Sequence, residues 1–310
     1  MIDALIVARS NEYGMRRDCE ILAEAIGRPG GCVLTLHSRR RNLLDWLLRR
    51  KIADHLLFIE RIFPLWYSAA ATRWLVPNQE RFPHRHIHRL AHVGCVLAKT
   101  RHAQQIFSSL GVKTSLLGFT SEDCLDPAVE KDWNGFLHMA GANTLKGTEE
   151  LIALWRKHPE WPELVLVQSR EHALRDLPEN IRLLPGYLPR EQLRELQNRC
   201  GIHLCPSRSE GWGHYIVEAM SVGAVVLTTD APPMNEHITP ECGVLVPANR
   251  SEPRHLGTNF FVDPVELERA VEALIKEPAA SKRAMGLAAR ARFVAIDTAF
   301  RARARNLFAG

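Results

Sequence analysis

The segment HLCPSRSEGWGHYIVEAMSVGAVVLTTDAPPMNEHITPECGVLVP, residues 203–247, decides the fold. An apolar strand ends at Pro206, a loop with two glycines follows, a helix begins near His214, and a second apolar strand covers 225–228. This order is typical of a parallel sheet with crossover helices. Glycines before a helix let the backbone approach a ligand closely, and the free amides and dipole of the helix favour anionic oxygens. We therefore expect the loop 207–213 to suit a diphosphate.

The same alternation of apolar runs and amphipathic helices extends along the chain in both directions. Strands are predicted at 4–8, 32–36, 56–59, 74–76, 94–98, 136–140, 164–168, 181–184, 202–205, 225–228 and 243–246. The acidic stretch 120–134 interrupts the pattern and reads as a linker. We expect one domain over 1–125 and a second over 126–295, with a C-terminal helix at about 296–310 that can pack back on the first.

Composition excludes several classes of protein. With 46% hydrophobic and 24% charged residues, the chain is not disordered, collagen-like or a coiled coil. No apolar run approaches the roughly 20 residues that span a bilayer, and the start, MIDALIVARS, lacks the plan of a signal peptide. Seven cysteines, an odd number without a Cys-x-x-Cys pair, favour reduced thiols and hence a cytoplasmic location.

The net charge of +5 is unevenly distributed. Residues 1–125 carry 18 basic and 11 acidic side chains, a net charge of +7, whereas the remainder carries 22 basic and 24 acidic ones, a net charge of −2. A basic first domain favours an anionic partner, which nucleic acid, a membrane surface or a phosphorylated substrate would satisfy. No basic stripe is interleaved with aromatic residues, and we therefore expect no nucleic-acid partner.

Glu210 and Glu218 are the most informative pair of carboxylates. Their spacing is not specific, because other acidic pairs share it, at 12/20, 122/130, 163/171 and 171/179. Their context is specific: Pro-Ser, Glu-Gly-x-Gly, a helix with Glu-Ala-Met, and an apolar strand. The segment resembles the Glu-x7-Glu motif of the retaining glycosyltransferases of family 4, the glycosyl transferases group 1. The resemblance implies an α/β protein of the GT-B fold, with two facing Rossmann-like domains and an interdomain donor/acceptor cleft.

The resemblance also implies roles for the residues of the motif. Glu210 would be catalytic, lying by the donor sugar and the reacting centre, and Glu218 would accept the ribose hydroxyls of the donor. The loop residues between the two glutamates, Gly211, Trp212 and Gly213, would bind the donor. The alternative for both glutamates is simple stabilisation of a helix N-terminus.

A second segment, HMAGANTLKGTEELIALW at 138–155, resembles the strand-to-helix segment of the same family. By this resemblance Lys146 would contact the donor diphosphate as a point charge; an ordinary solvated lysine is the alternative. Relatives usually carry an arginine about six residues earlier, where this chain has Ala140. The charge at the phosphates would then depend more on Lys146, on the loop amides, or on Arg208.

The other site residues rest on looser likeness. Gly14, in SNEYGMRRD, stands where relatives have a glycine-rich donor loop. In VPNQERF, at 76–82, Glu80 with Asn78 would lie at the acceptor side, Glu80 as a second catalytic candidate or as a plain loop carboxylate. In PGYLPRE, at 185–191, Tyr187 would border the base of the donor. Glu236 reads equally well as a donor-loop residue or as a helix cap.

Two motifs fall outside the resemblance. The histidines of HRHIHRLAH, at 84–92, could ligate zinc from one face of an extended segment, but a basic exposed loop is the favoured interpretation. The segment RRRNLLDWLLRRK, at 39–51, is predicted to be a crossover helix whose leucines pack on the sheet. A membrane-surface helix is the alternative.

Together the residues and the resemblance predict a retaining transferase that moves a sugar from a UDP- or GDP-sugar to an acceptor hydroxyl, in cell-surface glycan or glycolipid synthesis. No metal or other cofactor is expected. The acceptor would be a glycan, a glycolipid or a small molecule, and the protein would be cytoplasmic, with peripheral contact to an anionic inner membrane face as a further option. A GT-B-fold sugar-nucleotide epimerase and a non-catalytic sugar-nucleotide-binding protein are the alternatives.

Overall fold

The computed structural model describes residues 2–9, 13–27, 31–36, 38, 40–172 and 176–308. The chain divides into two units. Unit 1 comprises Met1–Thr120, Pro253–Thr258 and Ile296–Gly310, and unit 2 comprises Ser121–Glu252 and Asn259–Ala295. The boundary after Thr120 falls at the start of the expected linker.

Unit 1 is built on a six-stranded parallel sheet in the order β2-β1-β3-β4-β5-β6. Its strands are β1 (Ile2–Val7), β2 (Val33–Leu36), β3 (Ala53–Glu60), β4 (Thr72–Pro77), β5 (Cys95–Ala98) and β6 (Thr114–Leu116). The first three α-helices of the chain belong to this unit: α1 (Tyr13–Ile26), α2 (Leu43–Leu47) and α3 (Arg101–Ser109). Leu5, Phe58, Leu75, Val96 and Phe107 form the centre of its core. The strands read as continuous apolar runs because helices cover a parallel sheet on both faces; β6 was not predicted, because its three residues form no such run.

Unit 2 is built on a seven-stranded sheet in the order β13-β12-β11-β10-β7-β8-β9. Its strands are β7 (Asp132–Gly141), β8 (Leu164–Gln168), β9 (Ile181–Pro185), β10 (Cys200–Cys205), β11 (Val225–Asp230), β12 (Gly243–Arg254) and β13 (Gly257–Val262). The helices that follow in the chain are α4 (Thr148–Lys157), α5 (Arg190–Arg199), α6 (His214–Ser221), α7 (Pro264–Lys276) and α8 (Ala279–Arg305). The six strands from β7 to β12 are parallel and follow the order of the Rossmann fold.

The strand pair β12 and β13 departs from the prediction. The sequence predicted a strand over 243–246 only, whereas β12 continues to Arg254 and β13 returns after His255. Most of the outer half of β12 is exposed and polar, so this half of the strand leaves no apolar run in the sequence.

The segment 39–51 does not form the predicted crossover helix packed on the sheet. Its helix, α2, has only five residues and buries none of them, because it is too short to present a continuous apolar stripe to a sheet. Its four leucines, Leu43, Leu44, Leu47 and Leu48, are 59% to 66% exposed. Arg41 is the buried side chain here and donates to Ser68 Oγ at 2.8 Å. Arg39 lies outside the described residues.

The histidine-rich run is not extended either. Residues His84–His92 form a 3-10 helical stretch, in which Leu90 is the buried residue. Alternate histidines therefore do not line one face, as they would in a strand.

Within the residues that the structure describes, no helix is both long enough and apolar enough to cross a bilayer.

Candidate functional site

The strand order of unit 2 indicates where a ligand would bind. In open parallel sheets, ligands bind beyond the carboxyl ends of the strands, where the strand order reverses. Here the order reverses between β7, which ends at Gly141, and β10, which ends at Cys205. The loop after β7 leads to α4 and the loop after β10 leads to α6. Two helix N-termini, each with free amide groups, therefore begin at the carboxyl edge of the two central strands.

A neutral histidine holds these elements together. His138 on β7 is fully buried; its Nδ1 lies 2.7 Å from the carbonyl oxygen of Leu204, and its Nε2 lies 2.9 Å from Thr148 Oγ1. Burial lowers the pKa of His138 to about 4, so the ring carries no charge at neutral pH. It joins β7, β10 and the first turn of α4 with two hydrogen bonds.

Glycines begin both helices. Gly147 precedes α4 with φ 69° and Gly213 precedes α6 with φ 93°, a backbone region that favours glycine. The two loops also touch, since the amide of Arg208 donates to the carbonyl of Leu145 at 2.8 Å. A Cβ atom on Gly147 would lie 2.3 Å from the carbonyl oxygen of Pro206. Only glycine therefore fits at position 147.

We expect Gly147→Ala to destabilise the protein by about 2–4 kcal/mol, from a left-handed backbone and a steric clash together. Gly141→Ala is the matched control, because Gly141 also has a positive φ, 56°, but no atom within 4 Å of its Cβ position. We expect the control to cost about 1–2 kcal/mol. Urea unfolding measures both, and equal costs would show that the Pro206 carbonyl moves aside without penalty.

Lys146 and Glu210, predicted from separate motifs, meet in the structure. Lys146 Nζ lies 2.6 Å from Glu210 Oε1, and only 12% and 10% of the two side chains are exposed. Ser207 Oγ donates to the same carboxylate oxygen at 2.5 Å. The ammonium group also lies 3.5 Å from the ring centroid of Tyr215. A positive and a negative group are thus held together beside the two helix N-termini.

Tyr215 and Ser207 fix the position of the Glu210 carboxylate and were not predicted. Tyr215 Oη and Ser207 Oγ lie 2.5 Å apart, which completes a chain of hydroxyls to Glu210. Burial raises the pKa of the Tyr215 phenol well above its usual value, and Cys205 and Glu210 add to this, so the phenol stays protonated. The Ser-x-x-Glu spacing of Ser207 and Glu210 is the one local pattern that could have indicated their contact. This spacing usually marks the start of a helix, but α6 begins only at His214.

The loop 207–213 is held from several sides. Thr229 Oγ1 donates to the Ser207 carbonyl at 2.6 Å, and His237 Nε2 lies 2.6 Å from the Trp212 carbonyl oxygen. Burial lowers the pKa of His237 to about 4, so this contact comes from a neutral ring that donates N–H. Trp212 is itself buried and donates its indole N–H to Ser121 Oγ at 3.2 Å. Gly211, Trp212 and Gly213 therefore form a rigid loop rather than a flexible one.

Arg208, which the sequence left open as a substitute phosphate ligand, is paired with carboxylates in the structure. Its guanidinium lies 2.7 Å from Glu150 Oε1 and 3.2 Å from Glu149 Oε2, so two carboxylates of the first turn of α4 neutralise it. Ala140 is buried in the apolar core, as its side chain requires. Lys146, paired with Glu210, is a second cation beside the two loops.

The remaining candidates of unit 2 differ in burial and in local structure. Glu218 is partly buried on α6, where Gln197 Nε2 donates to it at 3.4 Å. Tyr187 lies on the turn between β9 and α5 with 81% of its side chain exposed. Glu236 ends a 3-10 turn, Met234–Glu236, and the next α-helix of the described residues begins only at Pro264, so Glu236 does not directly precede a helix that it could cap.

The candidates of unit 1 follow the carboxyl ends of its strands. Glu80 is buried in a 3-10 turn after β4, and Asn78 Oδ1 accepts a hydrogen bond from Lys99 Nζ at 3.0 Å. Lys99 is also buried and forms an ion pair with Asp18. Gly14 does not form the expected turn: it lies in the first turn of α1, which already begins at Tyr13. Ser10, Asn11 and Glu12 of the same motif lie outside the described residues.

One set of metal-ligand side chains converges in the part of the chain that the structure describes. It consists of His158, Glu268 and Glu272, whose ligand atoms lie within 4.8 Å of one another. Lys157 Nζ, at 2.6 Å, and His158 Nε2, at 2.7 Å, already contact Glu268. The predicted site residues do not belong to this set.

Solved structures of similar fold include several glycosyltransferases. HepE from Anabaena, solved with UDP and glucose, matches with a TM-score of 0.73 and 14% identity over 100% of both chains. A glycosyltransferase from Rickettsia africae matches with a TM-score of 0.74 and 15% identity over 99% of this chain and 97% of the other. At such identities the likeness shows the fold, which is GT-B, as predicted.

A curated relative is similar over a shorter stretch. The GDP-mannose:cellobiosyl-diphosphopolyprenol alpha-mannosyltransferase of Xanthomonas oryzae pv. oryzae is 31% identical over 122 residues, which cover 34% of this chain. The match spans about a third of that relative's length, 31%.

The family model of the glycosyl transferases group 1 matches residues 134–292, just over half of the chain. This range contains Lys146, Glu210 and Glu218, and both loops at the point where the strand order reverses. The chain therefore belongs to the glycosyl transferases group 1 family and has its GT-B fold.

Proposed function

We propose that this chain is a retaining glycosyltransferase that moves a sugar from a UDP- or GDP-sugar to an acceptor hydroxyl in glycan or glycolipid synthesis. The observation that carries the proposal is the pairing of Lys146 with Glu210 at 2.6 Å, beside the N-termini of α4 and α6. A cation and helix amides suit a diphosphate, and a carboxylate beside them suits the hydroxyls of a sugar.

In the proposed reaction the bond between the sugar and the diphosphate breaks while the acceptor oxygen bonds to the same face of the sugar, through an oxocarbenium-like state. The proton of the acceptor hydroxyl passes to the leaving phosphate oxygen. Lys146 and the helix amides stabilise the charge that grows on the leaving phosphate. Glu210, fixed by Ser207, orients the sugar and stabilises its positive charge. The proposal requires no metal ion, and we expect a chelator to leave the rate unchanged.

The donor would extend from this centre toward α6. Glu218 would accept the ribose hydroxyls, and Tyr187 would border the base. A thermal-shift screen of nucleoside diphosphates tests this most simply, because a ligand at 100 times its Kd adds about 2.7 kcal/mol of stability. UDP or GDP should raise the Tm, and a nucleoside without phosphates should raise it less. No shift with any nucleoside diphosphate would contradict the proposal.

Two similar proteins support the substrate classes. HepE was solved with UDP-glucose, a nucleoside-diphosphate sugar. The name of the Xanthomonas relative describes mannosyl transfer from GDP-mannose to a saccharide on a polyprenyl diphosphate. We propose a lipid-linked saccharide as the acceptor of this chain too, with Glu80 and Asn78 on the acceptor side in unit 1.

A lipid-linked acceptor requires access to a membrane, and we propose that α2 and its neighbours provide it. Four leucines and Trp46 are exposed on this segment. Arg40, Arg49, Arg50 and Lys51 are exposed beside them. Apolar side chains next to basic ones suit an anionic lipid surface, where each basic residue contributes about 1 kcal/mol.

Sedimentation with liposomes measures this contact. We expect binding to anionic vesicles at low salt that weakens as salt rises, and little binding to neutral vesicles. Leu44→Ser with Leu47→Ser should abolish it, because it removes apolar contact area. The control pair, Leu287→Ser with Val294→Ser, changes exposed apolar residues of unit 2 and should bind normally. Equal binding by both pairs would contradict the assignment to α2.

A further inference from the structure

Unit 1 has its own reversal of strand order, between β1 and β3. Ligands of such sheets bind beyond the carboxyl ends of the strands at this point. β3 ends at Glu60, a buried residue with φ 64°, a strained conformation for a side chain other than glycine. Arg61 follows immediately. Backbone strain of this kind is concentrated at functional sites.

Three segments of unit 1 bring positive side chains together here: the end of β3, the 3-10 stretch His84–His92, and the turn Pro253–Thr258. We call the following residues the cationic cluster: Arg61, His84, Arg85, His86, Arg89, Arg254 and His255. Burial and the charges of Arg254, Arg61, His84 and Arg85 lower the pKa of His255. Burial and the charges of Arg89, Arg85 and Arg61, among others, lower the pKa of His86. The 3-10 stretch and the end of β3 are in direct contact, since Arg89 Nη1 donates to the carbonyl oxygen of Ile62 at 3.2 Å.

Glu60, at the end of β3, and Glu80, beside the turn, are acidic residues that adjoin the seven basic residues of the cluster. The runs 84–92 and 253–258 contain no acidic residue. Glu60 Oε1 pairs with Arg61 Nε at 3.2 Å. Among the described residues, Arg85 and Arg254 form no ion pair, and Arg254 Nε and His86 Nδ1 are enclosed without a hydrogen-bond partner. Enclosed donors of this kind cost free energy unless a ligand or water satisfies them.

The cluster borders the residue proposed for the acceptor side. A Cβ atom on Gly257 would lie 3.1 Å from both the Cα and the backbone nitrogen of Glu80. The turn that carries Arg254 and His255 therefore packs directly against the backbone of Glu80. Leu256, which follows His255, packs on the apolar core of unit 1 and fixes the position of the turn.

We infer that the cationic cluster binds the diphosphate group of the acceptor. The inference rests on the proposed function and adds the chemical class of the acceptor, a saccharide attached to a diphosphate ester. Arginine forks and imidazole N–H groups suit phosphate oxygens, and the arrival of an anion favours protonation of the histidines. A membrane surface fits less well, because Arg61, His86, Arg89 and Arg254 are half-buried, whereas the basic side chains beside α2 are exposed.

Titration calorimetry with inorganic pyrophosphate tests the inference on the full chain. The donor site also binds phosphates, so the parent protein for this experiment carries Lys146→Ala. We expect Arg85→Gln and Arg254→Gln each to weaken the remaining pyrophosphate binding by about 10-fold. The control pair, Arg269→Gln with Arg283→Gln, removes exposed arginines of unit 2 and should bind pyrophosphate as the parent does.

Pyrophosphate affinities equal to the parent's in Arg85→Gln and Arg254→Gln would overturn the inference. Loss of anionic-vesicle binding with unchanged pyrophosphate binding would also overturn it, since the cluster would then be a membrane contact. Nucleoside diphosphates are titrated in parallel against proteins that retain Lys146. Their failure to bind refutes the proposed donor site, whereas their normal binding to Arg85→Gln and Arg254→Gln confines the defect to the acceptor side.

Discussion

Glu210→Gln should lower the transfer rate by about 100-fold or more and change nucleoside-diphosphate affinity by less than about 10-fold. Glutamine keeps the size of the side chain but removes the negative charge that the proposed oxocarbenium-like state requires. Ser207 and Lys146 can still contact the amide oxygen, so the loop should keep its position. Steady-state kinetics gives the rate, and calorimetry gives the affinity.

Glu195→Gln is the matched control for this change, because Glu195 is an exposed carboxylate of α5 in an ion pair with Arg199. Its turnover should be that of the wild type. If Glu210→Gln also turned over normally, the carboxylate would serve only as a partner for Lys146. The assignment to the reacting centre would then be wrong.

Lys146→Ala should weaken the binding of a nucleoside diphosphate by about 10- to 100-fold, the effect of losing a charge-assisted hydrogen bond in a largely buried site. No arginine compensates, because position 140 is a buried alanine and Arg208 is paired with Glu149 and Glu150. A nucleoside without phosphates should lose much less affinity. Calorimetry with both ligands separates the two cases.

Lys276→Ala serves as the control for this second change, since it removes an exposed lysine of α7. It should leave both affinities unchanged. Equal weakening of nucleoside and nucleoside diphosphate by Lys146→Ala would place Lys146 away from the phosphates. The structure also predicts a lower stability for Lys146→Ala, because Glu210 loses its buried cationic partner.

Much of the fold could be predicted because its signals are local. Buried parallel strands such as β3, β8 and β11 read as apolar runs, and the helices between them show the expected periodicity. The loop 207–213 and the helix after it could be placed from glycines and a strand end alone. The resemblance then assigned Glu210 and Lys146, which lie 64 residues apart, to one centre, and the structure brings them together.

The rest depends on contacts that are distant in sequence. Nothing local indicates that Tyr215 contacts Ser207, or that Arg208 pairs with Glu150 in the first turn of α4. The leucines of α2 have the periodicity of a packed helix, and only the tertiary structure shows that they are exposed. The cationic cluster combines three segments of which one, the turn after β12, lies more than 150 residues from the others in the sequence.

The most direct test of the central claim is a proton NMR time course of slow donor hydrolysis by the wild-type protein and Glu210→Gln. UDP- and GDP-sugars with an α-linked sugar are incubated with each protein in the absence of acceptor. We expect the wild type to release a nucleoside diphosphate and to form the α-anomer of the sugar first, and Glu210→Gln to release neither at a comparable rate. First formation of the β-anomer, or no hydrolysis and no binding of any of these donors, would contradict it.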